Sequence, residues 1–397
     1  MAPGVAEAEW RGRQVALYAT LECPTAVMVF GYGSALGAGT QSHGAMRYLT
    51  GWDSHEAMSL FIYNDKHSVL LLSSPFLETL AKTHFDDTQI LPVPVTEWAA
   101  IAARTFGEIG PLATIGISEM PQAAYQSLIS RFPEPQLIEG DSTLAMQRMR
   151  KSAQEIAVLE RGAAICDDLF SALPACLSPN HPAHQTQLEL EYRARLAGSD
   201  YCKTWLTIDR CADGPRYWSK ETNQTLKEGD QVLLGIALTV EGYWAHGIRM
   251  GTIGQPSDNH RRLWSVVHDA LTCGQEALQQ NTPVSAPVAA MTKSLDDGLQ
   301  DNDWQNSRRF RTGHSLGTSY EEPLATLPFT QDWHPNFAAK GSAPQIDIPL
   351  DSVFELHPNL FVPTVGGAAL GEMFLVETTH ARPLLQFPRD LMELHIS

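Results

Sequence analysis

The stretch that most constrains the fold is "DQVLLGIALTVEGYWAHGIRMGTIG", residues 230–254. Apolar residues alternate on both sides of Glu241-Gly242, and Gly between two such runs marks a tight turn. The segment is therefore read as two long strands joined by a hairpin. A second β-rich stretch follows at "FELHPNLFVPTVGGAALGEMFLVET", residues 354–378. Between them a helix is expected over roughly 259–278. Upstream, Ser152 followed three residues later by Glu155 forms a capping box for a long helix. Ile156, Leu159, Ala163 and Ile165 give that helix one buried stripe. Another helix is expected over roughly 186–197, stopped by Gly198.

The first part of the chain is patterned differently. "TAVMVFGYG" (25–33), "SVLLLSS" (68–74) and "LATIGIS" (112–118) read as strands, with an amphipathic helix over 95–110. Strand–helix alternation predicts an α/β unit. The chain is thus expected to be α/β (α+β), with an N-terminal domain over 1–143 and a second domain over 144–397.

Charge and cysteine usage narrow the function. A net charge of −17 argues against a nucleic-acid surface, because phosphate binding needs clustered Lys and Arg. No run of 18 apolar residues is present, so no membrane span is expected. The N-terminus lacks a basic-then-apolar signal pattern. The six cysteines are scattered without a CxxC pair, which fits reduced thiols and a cytoplasmic protein.

Five stretches, in order, resemble the pita-bread superfamily of creatinase, aminopeptidase P, prolidase and methionine aminopeptidase (peptidase family M24). They are "MRYLTGW", "RMRKSAQEIAVLERGAAICD", "LKEGDQVLLGIALTVEGYWAHGIRM", "GHSLGTSYEEP" and residues 354–378. The resemblance covers nearly the whole chain. It implies a creatinase-like N-terminal α/β domain, a C-terminal pita-bread catalytic domain, and a homodimer.

The resemblance also implies a site of two metals held by two aspartates, one histidine and two glutamates. Here the aspartate positions hold Gly235 and His246, the histidine position holds His314, and the glutamate positions hold His357 and Gly371. The catalytic-histidine position of the family holds Glu321, followed by Glu322 and Pro323. Another family histidine falls on Arg216, and a family arginine on Arg249. A dinuclear site needs bridging carboxylates, and none of these positions carries one, so standard Xaa-Pro peptidase chemistry is not expected.

The exchanges are ordered. The three positions that share one metal in the family are all histidine, whereas those serving or bridging to the other are both glycine. Three convergent imidazoles suit one divalent Fe, Zn, Mn, Cu or Ni ion with open positions. The glycines are expected to open space where the second metal would be. No organic cofactor is expected. Glu355, two residues before His357, shares its strand face and is read as a partner that orients an imidazole. Glu372, one residue past the lost glutamate, is read as pointing to the opposite face.

The remaining assignments follow the same reasoning. Glu321 and Glu322 are acid–base candidates, with Arg216 or Arg249 as salt-bridge partners. Arg216 is also read as a clamp for a substrate carboxylate. In the N-terminal domain, His43, Arg47, Trp52, His55 and Glu56 cluster within one loop. Arg47, Trp52 and His55 are expected at the substrate end through the implied dimer. Three readings remain. The preferred one is a mononuclear metal enzyme acting on a small amino-acid-like or amide substrate by hydrolysis or lyase chemistry, or by oxygen chemistry if the ion is Fe(II). The others are a metal-free C–N hydrolase of the creatinase or ectoine hydrolase kind, and a non-catalytic binding protein.

Overall fold

The computed structural model describes residues 5–21, 24–33, 41–54, 57–106, 110–299, 304, 306–329 and 346–395. The chain forms two compact units. The first comprises residues 1–148 and 317–323, and the second comprises 149–316 and 324–397. The sequence pattern puts the change of domain between 143 and 144; the contacts put it a few residues later and return 317–323 to the first unit.

The first unit is a six-stranded sheet with helices. Its strands are β1 (Ala26–Tyr32), β2 (Met58–Tyr63), β3 (Ser68–Leu72), β4 (Gln89–Pro92), β5 (Leu112–Ile115) and β6 (Leu137–Glu139), in the order 4-3-2-1-5-6. The helices are α1 (Glu7–Thr20), α2 (Gln41–Thr50), α3 (Glu78–His84), α4 (Trp98–Phe106), α5 (Gln122–Arg131) and α6 (Asp141–Met149). β1 shows why its run is apolar throughout. Val27 and Val29 enter one core cluster, while Ala26, Met28 and Phe30 enter the other. A strand buried on both faces needs apolar residues at every position. The helix expected over 95–110 begins as a short 3₁₀ turn, Val95–Glu97, and continues as α4.

The second unit opens with α7 (Ala153–Cys176). Ser152 accepts from the Glu155 N–H, and Glu155 accepts from the Ser152 N–H, completing the capping box. Then come α8 (Ala183–Leu196), β7 (Tyr201–Asp209), β8 (Gln231–Val240), β9 (Tyr243–Ile253), α9 (Asp258–Ala277) and α10 (Ser285–Gly298). The last strands are β10 (Gly313–Ser315), β11 (Val353–Leu356), β12 (Asn359–Val362), β13 (Gly366–Ala369), β14 (Glu372–Val376), β15 (Ala381–Pro383) and β16 (Met392–Leu394). They build sheets in the orders 16-9-8-7, 10-11-14-15 and 12-13. At the hairpin, Glu241 and Gly242 both have positive φ, 48° and 76°, as a two-residue type I′ turn requires.

One bridge joins the two larger sheets. Ile248 of β9 and Gly371, just before β14, exchange backbone hydrogen bonds of 3.1 and 3.0 Å. That junction sets the position of the candidate site. Among the described residues no helix is long and apolar enough to cross a membrane. Cys166, Cys176, Cys202, Cys211 and Cys273 are free thiols.

Candidate metal centre

Strand register assembles the centre. His314 on β10 lies directly opposite Glu355 on β11, so their side chains share a face. His357 is two residues beyond Glu355, hence on that face again. It is held just past the strand end by its N–H, which donates to the Thr312 carbonyl at 2.7 Å. His246 comes from the other sheet, on β9, two residues before the bridging Ile248. Its N–H donates to Met373 Sδ at 3.4 Å, and Met373 is the β14 partner of Glu355.

The three imidazoles converge. Their ring centroids are 5.6 Å apart for His246 and His314, 5.9 Å for His246 and His357, and 5.4 Å for His314 and His357. At their focus is Glu355. One of its oxygens, Oε2, lies 3.3 Å from His246 Nδ1, 3.6 Å from His314 Nε2 and 3.4 Å from His357 Nε2. All four residues are buried, Glu355 and His314 completely.

Burial also sets the charge of the rings. It pushes the His314 imidazole well below its usual value, with Arg311 and the two neighbouring histidines adding repulsion. His357 is lowered to about 4, again chiefly by burial, although the Glu355 charge acts in the opposite direction. Neutral imidazole is the form that ligates a metal.

This donor set fits a single metal ion. His246, His314 and Glu355 offer ligand atoms all within 4.8 Å of one another, and His357 reaches the same carboxylate oxygen. Neither oxygen of Glu355 has a hydrogen-bond partner among the described residues. A buried carboxylate in that condition is costly unless a cation meets it. Tetrahedral ligands at 2.0–2.1 Å from zinc stand roughly 3.3–3.5 Å apart, close to the spacings around Glu355. Sequence reasoning placed Glu355 on the right face but gave it only an orienting role; the geometry makes it the fourth member of the cluster.

The two glycines do not open empty space, contrary to the expectation. A Cβ on Gly371 would overlap Glu355 Oε1 and press on the Ile248 backbone nitrogen at 2.9 Å. A Cβ on Gly235 would overlap the indole of Trp205, its cross-strand partner on β7. The volume released by each lost side chain is filled, at 371 by the Glu355 carboxylate and at 235 by an indole.

The other expected site residues fall elsewhere. Arg249 lies three residues beyond His246, so it projects from the opposite face of β9. It donates to the carbonyls of Ile248, Gly371, Phe387 and Pro388 and pairs with Glu372 at 3.0 Å. The expected catalytic role for Arg249 gives way to one of fastening strand ends. Glu372 faces away from Glu355, as expected from parity. It is held by Arg249, by Arg389 at 3.1 Å and by the Leu385 N–H, and burial raises its carboxyl above the usual value.

Glu322 is buried and lies 2.9 Å from Arg148 Nη2, while also accepting from the Ser319 N–H. Its partner is Arg148, not the expected Arg216 or Arg249. Glu321 is half-buried on the same segment. Arg216 pairs with Asp213 at 2.9 Å and Asp209 at 3.4 Å, on an open cavity with Glu221, Lys227 and Glu228. Both partners come from its own stretch of chain.

Within the first unit, Trp52 is a core residue and not a substrate-facing one. It is 1% exposed, packs on His84 and Phe85, and donates its indole N–H to Ser59 Oγ at 3.2 Å. Arg47 and His43 both reach Asp53, at 3.5 and 3.3 Å. His55 and Glu56 lie outside the described residues.

An α/β first unit and a second unit built from two bridged sheets and flanking helices define the creatinase-like pita-bread class. The sequence profile of metallopeptidase family M24 matches residues 157–378, and that of the creatinase/prolidase N-terminal domain matches residues 40–150. The chain belongs to metallopeptidase family M24. It is 21% identical over 356 residues to the uncharacterized peptidase YqhT of Bacillus subtilis, covering 88% of this chain and 93% of that one. Two solved structures share the fold. The dipeptidase PepE of Mycobacterium ulcerans superposes with a TM-score of 0.76 at 19% identity, covering 99% of this chain and 100% of that one. A recombinant prolidase from Thermococcus sibiricus gives 0.77 at 16% identity, covering 99% and 100%.

Proposed function

We propose that this chain is a mononuclear metalloenzyme in which His246, His314, His357 and Glu355 hold one divalent transition metal, and that it acts on a small amino-acid-like or amide substrate by hydrolysis or lyase chemistry. The observation that carries the reading is Glu355: a fully buried carboxylate whose oxygen is surrounded by three imidazoles and takes no hydrogen bond among the described residues. When bound, such an ion supplies Lewis-acid polarisation and lowers the pKa of a water molecule.

The protein's own part is to keep the donors ready. Burial holds His314 and His357 neutral, and the carboxylate contributes the single negative charge of the set. Three nitrogens and one oxygen suit Zn, Fe, Mn, Cu or Ni better than a hard cation such as Mg. Of the two acid–base candidates read from the sequence, Glu322 is committed to Arg148. The standard dinuclear peptidase reading lacks support, because Gly235 and Gly371 offer no ligand and the adjoining volume is occupied.

Metal analysis of the purified full chain is the test. About one equivalent per chain, lost in His246→Ala and in Glu355→Ala, is the expected result. Protein that neither carries nor takes up Zn, Fe, Mn, Cu or Ni sinks the reading, and turnover of an amide substrate by metal-free protein replaces it with the C–N hydrolase reading.

A further inference from the structure

Of the four proposed donors, His357 alone lies outside a strand: β11 ends at Leu356 and β12 begins at Asn359. The β10–β11 register nevertheless runs on past it. Gly313 is set against Leu356. Continued in the same antiparallel step, the register sets Thr312 against His357 and Phe310 against Asn359, and it meets the Arg308–Phe361 bridge in phase. At that bridge both backbone bonds form, each at 2.8 Å. Hydrogen-bonded pairs recur at every second residue of an antiparallel ladder, so rungs fall at 310 with 359 and at 312 with 357.

At these two rungs a side chain stands in for backbone. The Phe310 N–H donates to Asn359 Oδ1 at 2.7 Å. The His357 N–H makes its rung to the Thr312 carbonyl, but the His357 carbonyl accepts from Asn359 Nδ2 at 3.0 Å. Nδ2 also donates to the Arg311 carbonyl at 3.1 Å, with the Phe310 carbonyl further off at 3.5 Å. The amide oxygen and both amide hydrogens are thus used, which fixes the orientation of the group. Asn359 is buried.

We propose that Asn359 is a positioning residue that sets the His357 imidazole for the metal ion. The inference rests on the metal reading above and adds a residue to it. His246, His314 and Glu355 each face a ladder partner, at Ala237, Glu355 and Met373 respectively. His357, past the strand end, is held by one backbone rung and by this amide. A ligand must stay within about 0.5 Å of its productive position, so the groups that hold it matter. By tying the His357 carbonyl to the 310–311 backbone, Asn359 makes His357 move with the segment that leads to His314.

Zinc titration of the metal-stripped full chain tests it, read by chelator competition, with Co(II) as the spectroscopic probe. Asn359→Ala is expected to weaken Zn(II) binding about tenfold and to shift the Co(II) d–d bands, which report the ligand set. Asn359→Asp keeps the shape and the Phe310 contact, but as a carboxylate has no hydrogen for the two carbonyls. It is expected to show the same loss, and it serves if alanine at 359 does not fold. In a His357→Ala background, Asn359→Ala is expected to change Zn(II) affinity less than about twofold, because the residue it acts through is gone. An equal loss in both backgrounds makes Asn359 a general support of the fold and overturns the proposal. Wild-type affinity and an unshifted Co(II) spectrum in Asn359→Ala overturn it too. Either result leaves the metal reading standing. Wild type that binds neither Zn(II) nor Co(II) overturns the proposal as well, and uptake of none of Zn, Fe, Mn, Cu or Ni sinks the metal reading with it.

Discussion

Glu355 and Glu372 lie on neighbouring strands, are both buried, and are held in opposite ways. Glu372 is met by two guanidinium groups and a backbone N–H. Glu355 is met by three imidazoles and no hydrogen-bond donor among the described residues. The strand pairing accounts for the difference. Glu355 is opposite Met373, so Glu372 falls on the other face of β14. One carboxylate completes an ion-pair network, and the other faces three imidazoles, the arrangement on which the proposed metal site rests. Burial alone therefore does not assign a carboxylate its role; the identity of its neighbours does.

The largest effect expected from breaking this contrast is on stability. Glu372→Ala leaves Arg249 buried without its counter-charge and should cost about 3–5 kcal/mol, read by urea denaturation, while metal content per folded chain stays unchanged. A metal-binding defect in that variant, with folding intact, would erase the distinction between the two carboxylates.

Next is the ligand set. His314→Ala and Glu355→Ala should each weaken metal binding at least about 100-fold, roughly 2.7 kcal/mol, measured by chelator competition. Equal affinity in Glu355→Ala would return that residue to an orienting role.

Gly371→Ala tests the crowding. Its Cβ overlaps Glu355 Oε1 and crowds the Ile248 nitrogen, so a stability loss of about 1–3 kcal/mol is expected. Part of that loss should vanish in the Glu355→Ala background, where the contacts with Ile248 Cγ1 and the Ile248 nitrogen remain. A full loss in both backgrounds would show that the carboxylate is not what the glycine accommodates.

The smallest effect belongs to Glu355→Gln in chelator-treated protein. Removing an uncompensated buried charge should leave stability within about 1 kcal/mol of wild type or raise it. A drop of the Glu372→Ala size would mean that Glu355 has a structural partner after all.

Much of this was legible in the chain. Alternation and turn chemistry placed the β8–β9 hairpin, and Ser152 with Glu155 placed the start of α7. Motif positions picked out His246, His314 and His357, which the fold brings together. Strand parity, a local property, also gave Glu355 the face of His357 and turned Glu372 away. Parity likewise turns Arg249, an odd number of residues from His246, to the opposite face of β9.

What the sequence by itself determined, then, is the set of local choices: which residues make strands and caps, and which side chains share a face. Tertiary structure decided what fills space between segments far apart in the chain. That Trp205 covers Gly235 depends on the β7–β8 register across thirty residues. That Glu355 lies over Gly371, and that Glu322 pairs with Arg148, follows from segments meeting far apart in sequence. Periodicity repeats along one element and carries no information about its neighbour. Whether a glycine marks a gap or a close contact is set only when the neighbour arrives.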